Sequence, residues 1–359
     1  MPNRRLRTFL SELIYQPTWT SFLPPIQRGD EVEQMRLILG ALAAMSGPPP
    51  DPLTTIIAYL GLSSYFFHKN DFHRGQEFWT LASDTVLKHD LDLALTVPIV
   101  ENETTTYSLH PLTDASELRS AFSNLIFLAL DVELVLAVPP IIKPRLLDQF
   151  DLLMDTQVVN NADLNFARAK SIRMLSQSRR VTAAWDAGKA QRQSPGAPWF
   201  ESYWKLIERL NAHIGSLNHT HLRISFLDAH TAELTVKLCL IVAIAALADL
   251  HGIFAPSHAE SSRRYRDTVV EIVSISSTFT VDDCRYLDPI LSLSWAIATK
   301  RILENQVVYD NQQSIIAAIR ACNLNLQQML PYVPDFECIS HPVPPLQYQN
   351  VFYSAGHNR

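Results

Sequence analysis

The longest uncharged apolar run in the chain is Leu238 to Ala248, LCLIVAIAALA, closed by Lys237 on one side and Asp249 on the other. A helix built from such residues has no polar face to show to water, so it must be enclosed on every side by protein or by lipid. Crossing a hydrocarbon core takes about 20 apolar residues, and this run is well short of that. It predicts a helix buried on all sides in an intracellular protein with no membrane span. Such a helix needs neighbours, and the rest of the chain is patterned to supply them.

Apolar residues recur at helical period almost everywhere. Leu118, Phe122, Leu125, Ala129, Val132 and Leu136 step by four and three, which lays one stripe along a helix running into Pro139-Pro140. Asp114 and Glu117 have capping-box spacing at its start. Phe78, Leu81, Ala82, Thr85 and Val86 make a second stripe, and Phe200, Trp204, Ile207, Leu210, Ile214 and Leu217 a third. Others run through about 29–46, 53–67, 161–190, 222–250, 261–279, 289–305 and 311–329.

The chain has 10 glycines, and its 22 prolines cluster in PPPDP, VPPIIKP and HPVPPLQ instead of recurring at hairpin spacing. Helices joined by proline-rich turns are therefore predicted, and strand pairs are not. The expected fold class is all-α, a single multi-helix domain over 40–330, with an N-terminal segment at 1–39 and a proline-rich tail at 331–359. The least patterned stretch, around 176–200, is the expected internal loop between two helical halves that share one core.

A formal net charge of −6 gives no global field toward nucleic acid or anionic lipid. The short basic clusters RRLR (Arg4 to Arg7) and SSRRYR (Ser261 to Arg266) read first as solvated faces, with nuclear import or a phosphate contact as the functional alternative. Cys239, Cys284, Cys322 and Cys338 are far apart and form no CxxC pair, which argues against a disulfide framework or a zinc finger and for free buried thiols. Glu12 interrupts the apolar stretch near the N-terminus, so a secretory signal is not expected and the sequons at Asn102 and Asn218 are chance matches. No GxSxG, HExxH, P-loop or GxGxxG pattern occurs.

One stretch invites a metal. In VDDCRYLDP, Val281 to Pro289, three carboxylates (Asp282, Asp283, Asp288) stand just ahead of an apolar segment. Class I terpene cyclases, which are all-helical, hold magnesium between an aspartate-rich helix and an Asn/Ser/Glu set, because a diphosphate needs Mg²⁺ bridged by carboxylate oxygens. Here Asn70 and Glu77 in NDFHRGQE would be the partners, but their spacing is wrong and they lie upstream of the aspartates. The alternative is capping: Pro suits the first helical position, and an Asp before it can accept a free N–H of the first turn. Asp51-Pro52 repeats the device ahead of Leu53, Ile56, Ile57 and Leu60. Capping is therefore expected of Asp288 at a helix carrying Leu291, Ser294, Trp295, Ala298 and Ile302, and of Asp282 or Asp283 at the short turn before it. The histidine pairs His219/His221 and His68/His73 are spaced to opposite helix faces and give no ligand set.

Three segments in order resemble the fungal-specific transcription factor domain, the middle homology region found after binuclear zinc-cluster modules. The first is DFHRGQEFWTLASDTVLKHDLD (Asp71 to Asp92), with KHDLD at the place of a family signature that carries a glycine. In the second, ELRSAFSNLIFLALDVELVLAVPPII (Glu117 to Ile142), Glu117, Arg119, Phe122, Asp131 and Pro139 take the fixed places, while Ser123 and Val138 replace the usual Trp and Gly. The third, Ser261 to Leu303, matches at Leu287, Asp288, Pro289 and Trp295. The resemblance implies a nuclear transcription regulator, not an enzyme. Its implied partners are transcriptional co-regulators, an upstream DNA-binding module or a small-molecule effector. It assigns no catalytic, cofactor-binding or metal residue, and zinc is implied only with an upstream cysteine cluster, which does not precede residue 40.

Overall fold

The computed structural model describes residues 51–68, 71–95, 113–136, 141–156, 163–190, 196–227, 229–304 and 312–329. The fold is all-α: among the described residues every regular element is helical and none is a strand. The elements are α1 (Pro52–His68), α2 (Phe72–Lys88), α3 (Leu91–Ala94), α4 (Thr113–Leu136), α5 (Pro144–Asp155) and α6 (Leu164–Ala190). They continue with α7 (Ala197–Ile224), α8 (His230–Phe254), α9 (Ala259–Ser276), a 3-10 turn (Asp283–Arg285), α10 (Ile290–Leu303) and α11 (Gln312–Met329). The expected stripe at 29–46, the segment 1–39, the tail 331–359, Pro139-Pro140 and the Asp114 side chain lie outside the described residues.

The described residues fall into two compact units, those up to 129 with those of 141–170, and those of 130–140 with those from 171 on. The division passes within α4 and within α6. In the first unit Asp51 opens α1 as its spacing predicts: Leu53 N–H donates to Oδ1 at 3.2 Å and the Thr54 hydroxyl to Oδ2 at 3.0 Å. α1 and α2 pack closely through Gly75, whose carbonyl accepts the Ser63 hydroxyl at 2.8 Å.

The buried face of α2 is Gly75, Trp79, Ala82, Ser83 and Val86, while Leu81 of the predicted stripe points outward at 39% exposure. Trp79 carries that face onto α4, where its indole N–H donates to the Leu125 carbonyl at 2.9 Å. Phe122, Phe150 and Phe166 join α4, α5 and α6, with successive ring centroids 6.1 and 5.7 Å apart. Asp90, at the turn into α3, takes a left-handed φ of 49°, which Asp tolerates better than most residues. Arg145 at the start of α5 clamps that turn, donating from Nε to Asp92 Oδ2 and from Nη2 to Asp90 Oδ1, both at 2.8 Å. Asp92 is fully buried.

The second unit is built round α8. Every residue from Leu238 to Ile253 is buried, and α7, α9 and α10 pack against it. Each buried Leu, Ile or Val there contributes about 1.5–3 kcal/mol. The 25-residue helix is longer than the apolar run that seeds it, and by length and composition it could cross a membrane; here protein encloses it. α10 is also buried on all sides from Ile290 to Thr299, beyond the single face its stripe predicts.

Two expectations fail in this unit. Residues 176–190, which fall both in the expected stripe at 161–190 and in the expected loop around 176–200, continue α6; there Thr182 is buried and the Trp185 ring lies 5.1 and 5.0 Å from those of Trp199 and Phe254. On α7 the buried face is Tyr203, Leu206, Ile207, Leu210, His213 and Leu217, and Trp204 and Phe200 face outward at 61% and 39% exposure.

A Cβ at Gly75 would sit 2.4 Å from the Phe67 ring, and Phe67 is itself buried. Gly75→Ala gains about 1 kcal/mol of helix propensity but overpacks the α1–α2 contact, which costs about 1–3 kcal/mol. Urea denaturation is expected to show a net loss of stability; a gain would mean that α1 and α2 can separate without cost.

Candidate functional site

Two of the three acids in the stretch VDDCRYLDP, Asp283 and Asp288, are helix caps. Thr280 and Asp283 cap each other across the 3-10 turn: Thr280 N–H donates to Asp283 Oδ2 at 2.7 Å, and Asp283 N–H donates to the Thr280 hydroxyl at 3.3 Å. Asp283 Oδ1 lies 2.8 Å from Nε2 of His230, which ties the turn to the start of α8. Burial pushes the Asp283 carboxyl up, but the Thr280 amide and hydroxyl and His230 outweigh it and hold the group below the ordinary aspartate range. Of the two aspartates expected to cap this turn, Asp283 does so through Thr280; Asp282 is exposed and makes no side-chain cap bond there.

Asp288 caps α10 as expected, its Oδ1 accepting Ile290 N–H at 3.0 Å with Pro289 between them. Behind this start, Trp295 is buried and its indole N–H donates to the Ser276 hydroxyl at 2.9 Å. The Cys322 thiol donates to the Ser276 carbonyl at 3.6 Å, and the Ser292 hydroxyl to Asn323 Oδ1 at 2.6 Å. The end of α9, α10 and α11 are thereby linked through short polar side chains in an apolar setting.

Charged groups are also buried between helices of the second unit. Glu133 on α4 lies 3.9 Å from Arg180; burial pushes its carboxyl up, and Arg180 and Arg173 pull it back. Asp249 on α8 is 6% exposed, with Oδ1 3.4 Å from Arg179, and Oδ2 has no hydrogen-bond partner among the described residues. Ser171 and His213, both buried, face each other at 2.9 Å across α6 and α7. Burial pushes the His251 imidazole down to about 4; Arg264 adds to the shift and Glu260 opposes it.

Of the residues considered for a magnesium site, Glu77 belongs to the first unit and Asp282, Asp283 and Asp288 to the second. Asp283 and Asp288 hold backbone N–H groups, Glu77 is exposed on α2, and Asn70 lies outside the described residues. No group of three or more His, Cys, Asp or Glu is placed to hold a metal ion among the described residues. His221 stands 3.7 Å from Glu233, while His219 and His73 are exposed. Within the basic cluster on α9, Arg263 and Arg264 both bond Glu260 at 2.8 Å, so those charges are met on their own helix.

Sequence reasoning missed His230, Ser276, Arg145 and the Glu133–Arg180 and Asp249–Arg179 pairs. The Thr-x-x-Asp spacing at 280 and 283 was a usable signal for the turn; the others depend on partners remote in sequence. Comparison of the chain with protein-family models, with curated proteins and with solved structures finds no match.

Asp288→Ala is expected to lower stability by about 0.5–2 kcal/mol in chemical denaturation, with Asp288→Asn retaining most of it. Equal losses from the two would show that charge, not N–H acceptance, is what matters. His251 sets a pH dependence. The unfolded imidazole takes a proton near its ordinary value of 6.5, while the folded one stays neutral down to about 4. Its contribution is therefore complete above pH 6.5 and lost as pH falls toward 4, by up to about 3 kcal/mol. His251→Phe should flatten stability against pH over this window; an unchanged slope in the variant would remove His251 as the cause.

Proposed function

We propose that the chain is the regulatory helical domain of a transcription regulator of the fungal zinc-cluster type, acting in the nucleus without catalytic or cofactor chemistry of its own. It works through contacts with transcriptional co-regulators or a DNA-binding module, or by response to a small-molecule effector, and it does not enter membranes. The reading rests on the ordered set of three segments. Glu117, Arg119, Phe122 and Asp131 stand on α4, the apolar α8 follows, and Leu287, Asp288, Pro289 and Trp295 open α10 in the same order as in that family.

The burial of these places fits a role in fold. Phe122 and Trp295 are each 1% exposed and Leu287 6%, while Asp288 caps α10. Pro139 and Val138 lie outside the described residues. In this reading the enclosed α8 is core, and the caps in VDDCRYLDP position α10 instead of holding a metal.

Fusing the full chain to a heterologous DNA-binding domain upstream of a reporter should change output severalfold relative to that domain alone. Unchanged output would count against the proposal. Mg²⁺-dependent release of pyrophosphate from a prenyl diphosphate by the purified protein would replace it with an enzyme.

A further inference from the structure

We propose that Cys284 and Cys322 are a redox pair that closes an intrachain disulfide between the 3-10 turn and α11. Cys284 is the middle residue of Asp283–Arg285, and that turn packs directly against α11, which carries Cys322. Both thiols donate to carbonyls of one short segment that starts at the last residue of α9: Cys284 Sγ to Thr280 and Cys322 Sγ to Ser276, each at 3.6 Å. That segment is fixed at both ends, by Trp295 on the Ser276 hydroxyl and by the reciprocal Thr280–Asp283 bonds. The two sulfurs are thus anchored along the same few residues by contacts that do not depend on each other. They are also close enough for Cys322 to raise the Cys284 thiol, on top of the larger effect of burial.

The oxidant is a small-molecule disulfide of the glutathione type. Cys322, the less buried of the two, attacks one oxidant sulfur as its thiolate and expels one thiol, leaving a mixed disulfide. Cys284 loses its proton, attacks Cys322 Sγ and expels the second thiol. The protein gives up two electrons and two protons, and the oxidant takes them as two thiols. Burial holds both thiols up, Cys284 at about 11, so the pair is slow to oxidise near neutrality and faster as pH rises. Once formed, the bond ties α11 to the turn that precedes α10 and constrains the intervening chain.

The test treats the full chain with oxidised glutathione between about pH 7 and 9, blocks free thiols by alkylation, and maps cross-links by non-reducing proteolysis and mass spectrometry. The expected result is a peptide joining Cys284 to Cys322, formed faster at higher pH, with a rise in Tm that a reductant reverses. C284S and C322S, shown to be folded by circular dichroism, should each abolish both. A glutathione adduct on Cys322 that never resolves, no link at any pH, or a link in which Cys338 replaces either residue would overturn the proposal.

Discussion

An α-helix with no polar face has to be enclosed, and α8 imposes that requirement on everything packed around it. α7, α9 and α10 pack against it, and α10 is itself buried on all sides along most of its length. Helices in that position cannot be capped by chance, because the free N–H groups of a buried first turn have no water to bond. Asp288 meets that need at α10. The Thr280–Asp283 box does the same for the turn before it, and His230 links that turn to the start of α8. The carboxylates of Asp283 and Asp288 in VDDCRYLDP are consequences of the buried helices that follow.

Periodicity located the helices because burial against a neighbour repeats with the helical turn, and that repeat is local. It was less reliable for which side faces inward. On α7 Ile207, Leu210 and Leu217 of the expected stripe are buried, but Phe200 and Trp204 face outward and Tyr203 and Leu206 take their place. Large apolar residues can stand on either side of a helix, since folded surfaces keep much apolar area. Residues 176–190 lie in the least patterned stretch of the chain, which includes Arg179 and Arg180. Their charges are met by Asp249 and Glu133, partners that no local window contains.

The same distinction divides the candidate site. Asp-Pro before an apolar stripe is a complete signal, since the carboxylate and the N–H it accepts are two residues apart; Asp51 and Asp288 both behave so. The partners of Trp295, Asp92 and Asp283 are 19, 53 and 53 residues away. Nothing in the residues near them names Ser276, Arg145 or His230. What the sequence withheld is this long-range pairing of polar groups.

Those pairs bear on how an apolar core acquires one arrangement. A helix that is apolar all round, as α8 is from Leu238 to Ala248, could turn about its axis by one residue, about 100°, with little change in buried apolar area. Asp249 opposes such a turn, as does His230, which meets Asp283 from the start of the same helix. Turning α8 would carry the Asp249 carboxylate away from Arg179 and leave a buried charge unmet, a loss of several kcal/mol where the partner is removed outright. Oδ2 has no hydrogen-bond partner among the described residues, and a buried acceptor left so costs about 1–3 kcal/mol. A core selected for stability alone would place an apolar residue there. The Asp249–Arg179 and His230–Asp283 pairs both act on the face that α8 presents to α7, α9 and α10.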